Sequence, residues 1–344
     1  MSDLILAGTA KGLFTFKRNN GKWDVGVDFE GKTVYSIGQA GERLLASPST
    51  EWTGTELAFS DDHGATWQVK EGDPLAFPEE TDTALARIWQ ISSDESGRIF
   101  FGVEPSALFY SDDGAESWQM VEGLWNHPHR EHWVPGFGGK CLHTFLKLNE
   151  DTWIAGMSTG GVYRTEDGGK TWEACNQKIV APFLPEKTPE FGQCVHKIAF
   201  HPADPDTLFL QHHWGVYRSD DAGQTWKNIS EGKDLPTDFG FACVSNKPDT
   251  AFIIPIHSDG FRTFPEGKAR VYKTEDRGET WKPLSKGLPQ ENSFDCVLRD
   301  SFSSNHEDLS FGTTGGSLYF SEDNGESWET VADHLPRITC VRVY

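Results

Sequence analysis

The sequence has no apolar run that approaches the length of a membrane span, and helical periodicity is nearly absent from it. The first residues, Met1-Ser2-Asp3-Leu4-Ile5-Leu6, lack a basic segment and a long apolar one, so no secretory signal is visible. Cations are scarce: 31 Lys and Arg stand against 52 Asp and Glu, a formal charge of −21. That shortage disfavours non-specific contact with nucleic acid or an anionic membrane, because phosphate binding needs surplus positive charge. Six cysteines in 344 residues are too few for a disulfide scaffold, and a reducing cytoplasm is the simpler location. Apolar residues make up 37% and aromatic residues 12% of the chain, enough for a packed core, so disorder is not the expectation.

What the sequence does have is a repeat. Ser60-Asp61-Asp62-His63-Gly64-Ala65-Thr66-Trp67 returns at Thr165–Trp172, Ser219–Trp226, Thr274–Trp281 and Ser321–Trp328. It returns once more at Ser111–Trp118, with Ala115 where the others have glycine. The pattern is [ST]-x-D-x-G-x-[ST]-W, and a degenerate copy sits at Asn20-Gly21-Lys22-Trp23. The period is about 51 residues, within the range of propeller blades. Two apolar, β-rich runs precede each box, as in Val195–Phe200 and Thr207–Leu210 before Gly215–Arg218, and the strand carrying Trp follows. Four strands per unit predict an all-β fold, a seven-bladed β-propeller of four-stranded antiparallel blades with residues 1–344 as one domain. The first unit begins at Leu4–Gly8, which matches a second strand, while Arg337–Tyr344 is left over at the far end. The C-terminal strand is therefore expected to complete blade one and remove the open seam.

Each box reads as scaffolding. Its Asp can accept N–H groups of its own turn, its Gly permits positive φ, and its Trp can pack at a blade junction. Calcium binding is the alternative, but the dense oxygen spacing of a dedicated loop is missing. The six boxes hold fifteen acidic residues against Lys170 and Arg277, so most of the negative charge belongs to the repeat architecture.

These repeats resemble the Asp-box (BNR) repeats of sialidases, sortilin-type receptors, xyloglucanases and photosystem-assembly propellers. Three further strings extend the resemblance: Leu124-Trp125-Asn126-His127-Pro128, Gly138-Gly139-Lys140-Cys141-Leu142-His143 and Glu190-Phe191-Gly192-Gln193-Cys194-Val195-His196. With them the chain is similar to a bacterial group loosely labelled sialidase-like or glycosyl-hydrolase-like. The resemblance implies the propeller and leaves the reaction open, since one fold hosts many functions. Sialidases carry an Arg-Ile-Pro segment near the start; here the nearest strings are Arg87-Ile88-Trp89 and Arg337-Ile338-Thr339, which counts against a true sialidase.

In propellers of this kind, ligands bind where the second-to-third-strand loops and the blade-to-blade loops open on one face. Irregular segments rich in Trp and His fall in those loops, and long loops of this composition are more often functional than decorative. The candidate substrate-binding residues are Trp52, Trp125, His127, Trp133, His212, His213, Trp214 and Arg299, with the tryptophans able to stack on sugar rings. The candidate acid–base residues are Glu104, His143, His196 and Asp300. Adjacent residues on a strand point to opposite faces, so His212 and His213 share a ligand only if the chain turns there.

Cys141, Cys194, Cys243, Cys296 and Cys340 read as one repeat position, filled by a small apolar side chain. The sharper alternative is a transition metal held by Cys141, His143, Cys194 and His196. The sequence requires no cofactor. The expectation is a hydrolase acting on a small polar or carbohydrate-like molecule, with no nucleic-acid or membrane partner. The alternative is a non-catalytic propeller that binds a protein, peptide or small ligand.

Overall fold

The computed structural model describes residues 2–72, 75–136, 139–182 and 184–344; Gly138, which opens one of the family-like strings, lies outside them. The described chain is almost entirely β. Four sheets contain four antiparallel strands each, with inner strands Arg87–Ser93, Leu142–Lys147, Val195–His201 and Gly240–Lys247. A fifth sheet, on Thr33–Ala40, has the same four strands plus the short strand Gly54–Thr55. An eight-stranded sheet is two four-stranded halves, one on Val297–Asn305 and one on Ile338–Val343. A single parallel bridge between Asp300 and Cys340 joins those halves. The inner strands pack against one another in a closed cyclic order, with Ile338–Val343 lying between Val297–Asn305 and Thr33–Ala40. This is the ring of a β-propeller.

The expected closure is present. Ile338–Val343 pairs antiparallel with Leu4–Thr9, aligning Val343 with Ile5 and Val341 with Ala7. Gly8 is required at this joint, because a Cβ there would meet Cys340 Sγ at 2.4 Å and Val34 O at 2.7 Å.

Each box is a self-contained hydrogen-bond network. Ser60 Oγ donates to Asp62 Oδ1 at 2.8 Å and accepts the Gly64 N–H at 2.9 Å. Asp62 Oδ1 accepts the Thr66 N–H at 2.9 Å, and Oδ2 accepts the Thr66 hydroxyl at 2.6 Å. The same bonds recur around Asp113, Asp167, Asp221, Asp276 and Asp323. Hydrogen bonds from Thr171 hold the Asp167 carboxyl down at about 2. With both carboxylate oxygens engaged inside the turn, the scaffolding account explains these acids and calcium does not. At Gly278 a Cβ would meet Ile229 at 2.4 Å. Ala115, at φ 71°, is the one copy with a side chain at this glycine position, while His63, Ala222, Arg277 and Asn324 take positive φ one position earlier in their boxes. The box tryptophans reach across junctions: Trp226 Nε1 donates to Cys175 O and Trp281 Nε1 to Ile229 O.

Candidate functional site at the ring axis

Every inner strand breaks its antiparallel register near the same point. The shifts fall between Val34 and Ile37, Leu142 and Thr144, Val195 and Lys197, Gly240 and Cys243, and Val297 and Phe302. Opposite Gly102/Val103 and Gly8/Thr9 the residues passed over are Trp89 and Thr339. A bulge leaves its extra residue unpaired and re-aims that side chain. Besides Ser36, Ala242 and Ser301, which stay buried off the cavity, the residues passed over are Tyr35, Trp89, His143, His196, Phe241 and Thr339, and in the longest irregularity Leu298, Arg299 and Asp300. All except His143 line a cavity of about 700 Å³ at the axis, together with Cys194, His213, Trp214, Asp259, Arg262 and Arg337. One local device, repeated in each inner strand, builds the site.

This register corrects the cysteine alignment. Cys141, Cys194 and Cys296 each lie two residues before a re-aimed side chain, whereas Cys243 and Cys340 lie after theirs. Phe241 and Thr339 therefore occupy the places that a cysteine-based alignment gives to Ser245 and Arg342. All five thiols are buried, and burial pushes the Cys243 and Cys340 thiols up to about 12.

The candidate acid–base residues divide. Asp300 lines the cavity, yet its Oδ1 takes Lys197 Nζ at 2.7 Å and Arg342 Nη2 at 3.3 Å. Burial opposes its charge, but those cations together outweigh it and hold the carboxyl below its ordinary value. Asp300 is thus a fixed anion, unsuited to donating a proton. Its Oδ2 is buried and has no hydrogen-bond partner among the described residues. His196 lies on the cavity wall, with Nδ1 at 2.7 Å from Gly240 O. His143 sits behind the wall, its ring edge-on to Trp89 and its Nδ1 at 3.1 Å from Val195 O. Burial first, then neighbouring cations and histidine, pushes both rings well below their ordinary range, so both are neutral at pH 7. Glu104 is absent from the lining. It accepts Trp89 Nε1 at 3.0 Å and Arg87 Nη1 at 3.3 Å, and it fixes the aromatic wall.

Of the candidate binding residues, His213, Trp214 and Arg299 meet in the cavity. Arg299 lies over the Trp89 ring at 5.2 Å from its centre and has no salt-bridge partner among the described residues. The chain does turn at His212: Gly215, at φ 115°, reverses it, and His212 N–H donates to Gly215 O at 3.1 Å. His213 consequently faces the cavity and His212 the core. His212 is fully buried, its Nε2 3.1 Å from the Cys194 N–H and its Nδ1 3.2 Å from the Trp214 N–H. A neutral ring accepts on one nitrogen at a time, so one of these contacts is the full hydrogen bond. The role of His212 is support, contrary to the sequence expectation.

Four other candidates stand away from the cavity. Trp52 is 95% exposed, at a loop tip. Trp125, His127 and Trp133 belong to an insertion that packs against the strand Gly161–Thr165. Arg130 lies over the Trp125 ring at 3.2 Å, the His127 ring meets Tyr163 edge-on, and buried Trp133 donates Nε1 to Tyr163 OH at 2.9 Å. Among the described residues the insertion reaches the site through Pro135 and Gly136. The missed residues are Tyr35, Trp89, Phe241, Arg262 and Arg337. Trp89 stands in Arg87-Ile88-Trp89, so the signal was a tryptophan outside the box repeat.

Two of the proposed metal ligands, Cys141 and His143, need revision. The structure brings Cys194 and His196 together with His213, while Cys141 and His143 fall outside that cluster.

Comparison with known proteins agrees on fold. The family model described as sortilin, neurotensin receptor 3 (Sortilin-Vps10) matches residues 214–342. A probable oligoxyloglucan-reducing end-specific xyloglucanase of Neosartorya fischeri is 25% identical over 237 residues, 58% of this chain. The match spans 28% of that relative's length. Among solved structures, the GH74 xyloglucanase from Xanthomonas campestris superposes with a TM-score of 0.61 at 13% identity, covering 97% of this chain and 53% of that one. YCF48 bound to D1 peptide gives 0.55 at 16% identity, covering 88% and 83%. The WD40 β-propeller domain of Doa1 gives 0.55 at 8% identity, covering 94% and 91%. The chain shares the β-propeller fold with these proteins, and its sequence similarity reaches xyloglucanases.

Proposed function

We propose that the chain is a single-domain, seven-bladed Asp-box propeller that acts as a glycosidase-like hydrolase. Its substrate would be a small carbohydrate-like molecule with an anionic group, bound at the ring axis. One observation carries this reading: in a protein of charge −21, the axial cavity joins flat aromatic faces to an excess of cations. Tyr35, Trp89 and Trp214 offer faces for sugar rings. Arg299 and Arg337 have no salt-bridge partner among the described residues, and Arg262 pairs with Asp259 at 2.5 Å. In this reading Asp300, held ionised, steadies positive charge developing on the sugar, and the more accessible Asp259 exchanges the proton. The xyloglucanases among the relatives support the carbohydrate class.

The test is release of product from a panel of acidic and neutral glycosides that includes xyloglucan oligosaccharides. Asp259→Asn is expected to lower kcat by about 100-fold or more, and Arg299→Ala to raise KM. Hydrolysis that both variants perform at the wild-type rate overturns the assignment.

A second reading is a docking propeller for an acidic peptide. It is favoured by the salt bridges on Asp259 and Asp300 and by the likeness in size to the peptide-bound neighbour. Tight peptide binding at the cavity without turnover of any glycoside selects it.

A further inference from the structure

We propose that Cys194, His196 and His213 form a site for one transition-metal dication of the zinc class, opening on the axial cavity. Their ligand atoms all lie within 4.8 Å of one another. Cys194 Sγ and His196 Nε2 are 3.7 Å apart. A tetrahedral ion with metal–sulfur and metal–nitrogen bonds of about 2.3 and 2.0–2.1 Å needs an S···N edge of about 3.6 Å, so this pair is already spaced for ligation. His213 needs a side-chain adjustment on the order of 1 Å to close the triangle.

The surroundings orient the ligands. Gly240 O, 2.7 Å from His196 Nδ1, can only accept, so the ring carries its proton on Nδ1 and turns the Nε2 lone pair toward Cys194. Ser158 Oγ lies 3.5 Å from Cys194 Sγ, where its hydroxyl can donate to a thiolate. The turn at Gly215 aims His213 inward, and its ring packs against that of His196 with centres 4.4 Å apart.

One thiolate with two imidazoles selects zinc-class ions over calcium or magnesium, which prefer oxygen. All three residues line the cavity, so a fourth position faces solvent and any bound ligand. Three protein ligands and one open position is the pattern of a reactive site, in contrast with the closed four-ligand structural kind. Arg262 and Arg299 on the same cavity wall oppose a cation, and Asp259 favours one. The thiolate formed on binding offsets one charge of the ion. The site goes beyond the hydrolase reading and stands independently of it, because it is read as metal bound per chain.

The experiment uses the full chain without a polyhistidine tag, stripped with a chelator and titrated with Zn²⁺ against a competing chelating indicator. One Zn²⁺ per chain is expected, with affinity reduced about 100-fold or more in both Cys194→Ser and His213→Ala. Cys141→Ser should bind like wild type. Co²⁺ should give a thiolate charge-transfer band that Cys194→Ser lacks, and circular dichroism confirms that each variant is folded. His213→Ala, a change at the half-exposed cavity wall, keeps the test decisive if Cys194→Ser does not fold. Failure of folded wild type to bind one equivalent, or equal binding by both variants, overturns the proposal. Metal binding lost with glycoside hydrolysis intact would count against this site alone.

Discussion

Deleting residues 337–344 is expected to abolish cooperative folding. Ile338, Val341 and Val343 are buried in the cluster that joins the first and last sheets. Their burial is worth roughly 5–9 kcal/mol together, against a total stability of about 5–15 kcal/mol for ordinary proteins. The deletion also strips the partner from Leu4–Thr9, all six residues of which are buried, and opens the ring. Moving the same eight residues ahead of Ser2 through a short linker should restore folding. The two strands are antiparallel, and Tyr344 N–H already donates to Leu4 O at 3.0 Å, so the new joint is a hairpin. Circular dichroism and thermal melting check both chains. A truncated protein that melts like wild type would show that the strand is dispensable.

Asp300→Asn should be the most damaging single substitution at the axis. Asp300 bridges strands that are not neighbours, because Lys197 comes from Val195–His201 and Arg342 from Ile338–Val343. Neutralising it leaves two largely buried cations facing each other, a loss of about 3–5 kcal/mol in chemical denaturation. Adding Lys197→Met should recover part of that loss by removing one stranded charge. A change below about 1 kcal/mol would mean the pair behaves as an exposed surface bridge. The pH dependence has a definite sign. The folded-state carboxyl lies below its ordinary 3.8, so its contribution is full above that pH and disappears as pH falls through the depressed value. The acid limb of wild-type stability should accordingly weaken in Asp300→Asn.

The boxes and the closing strand were legible in the sequence for the same reason. Ser219, Asp221, Gly223 and Thr225 bond within a few residues of each other, so the residues that make the turn are adjacent in the string. The unpaired run Arg337–Tyr344 answered the missing inner strand of the first unit. The axial site was less legible because a bulge changes the facing of a residue without changing residue types. Trp89 and Phe241 look like ordinary strand residues, and aligning the repeats on cysteine displaced Cys243 and Cys340 from the true register. The insertion misled for a different reason. A long loop must bury its apolar side chains, and Trp133 and His127 do so by packing on Tyr163 of the blade beneath. His213 and Trp214 were recognised because they fall in a second-to-third-strand loop that carries Trp and His.

The central claim is that the axial cavity is the functional site and accepts an anionic, carbohydrate-like ligand. The most direct measurement is ligand-induced thermal shift with acidic and neutral sugars on wild type, Arg299→Ala and Trp52→Ala. The account predicts that acidic sugars stabilise wild type and Trp52→Ala equally and fail to stabilise Arg299→Ala. Equal stabilisation of wild type and Arg299→Ala, or a shift lost only in Trp52→Ala, would contradict it.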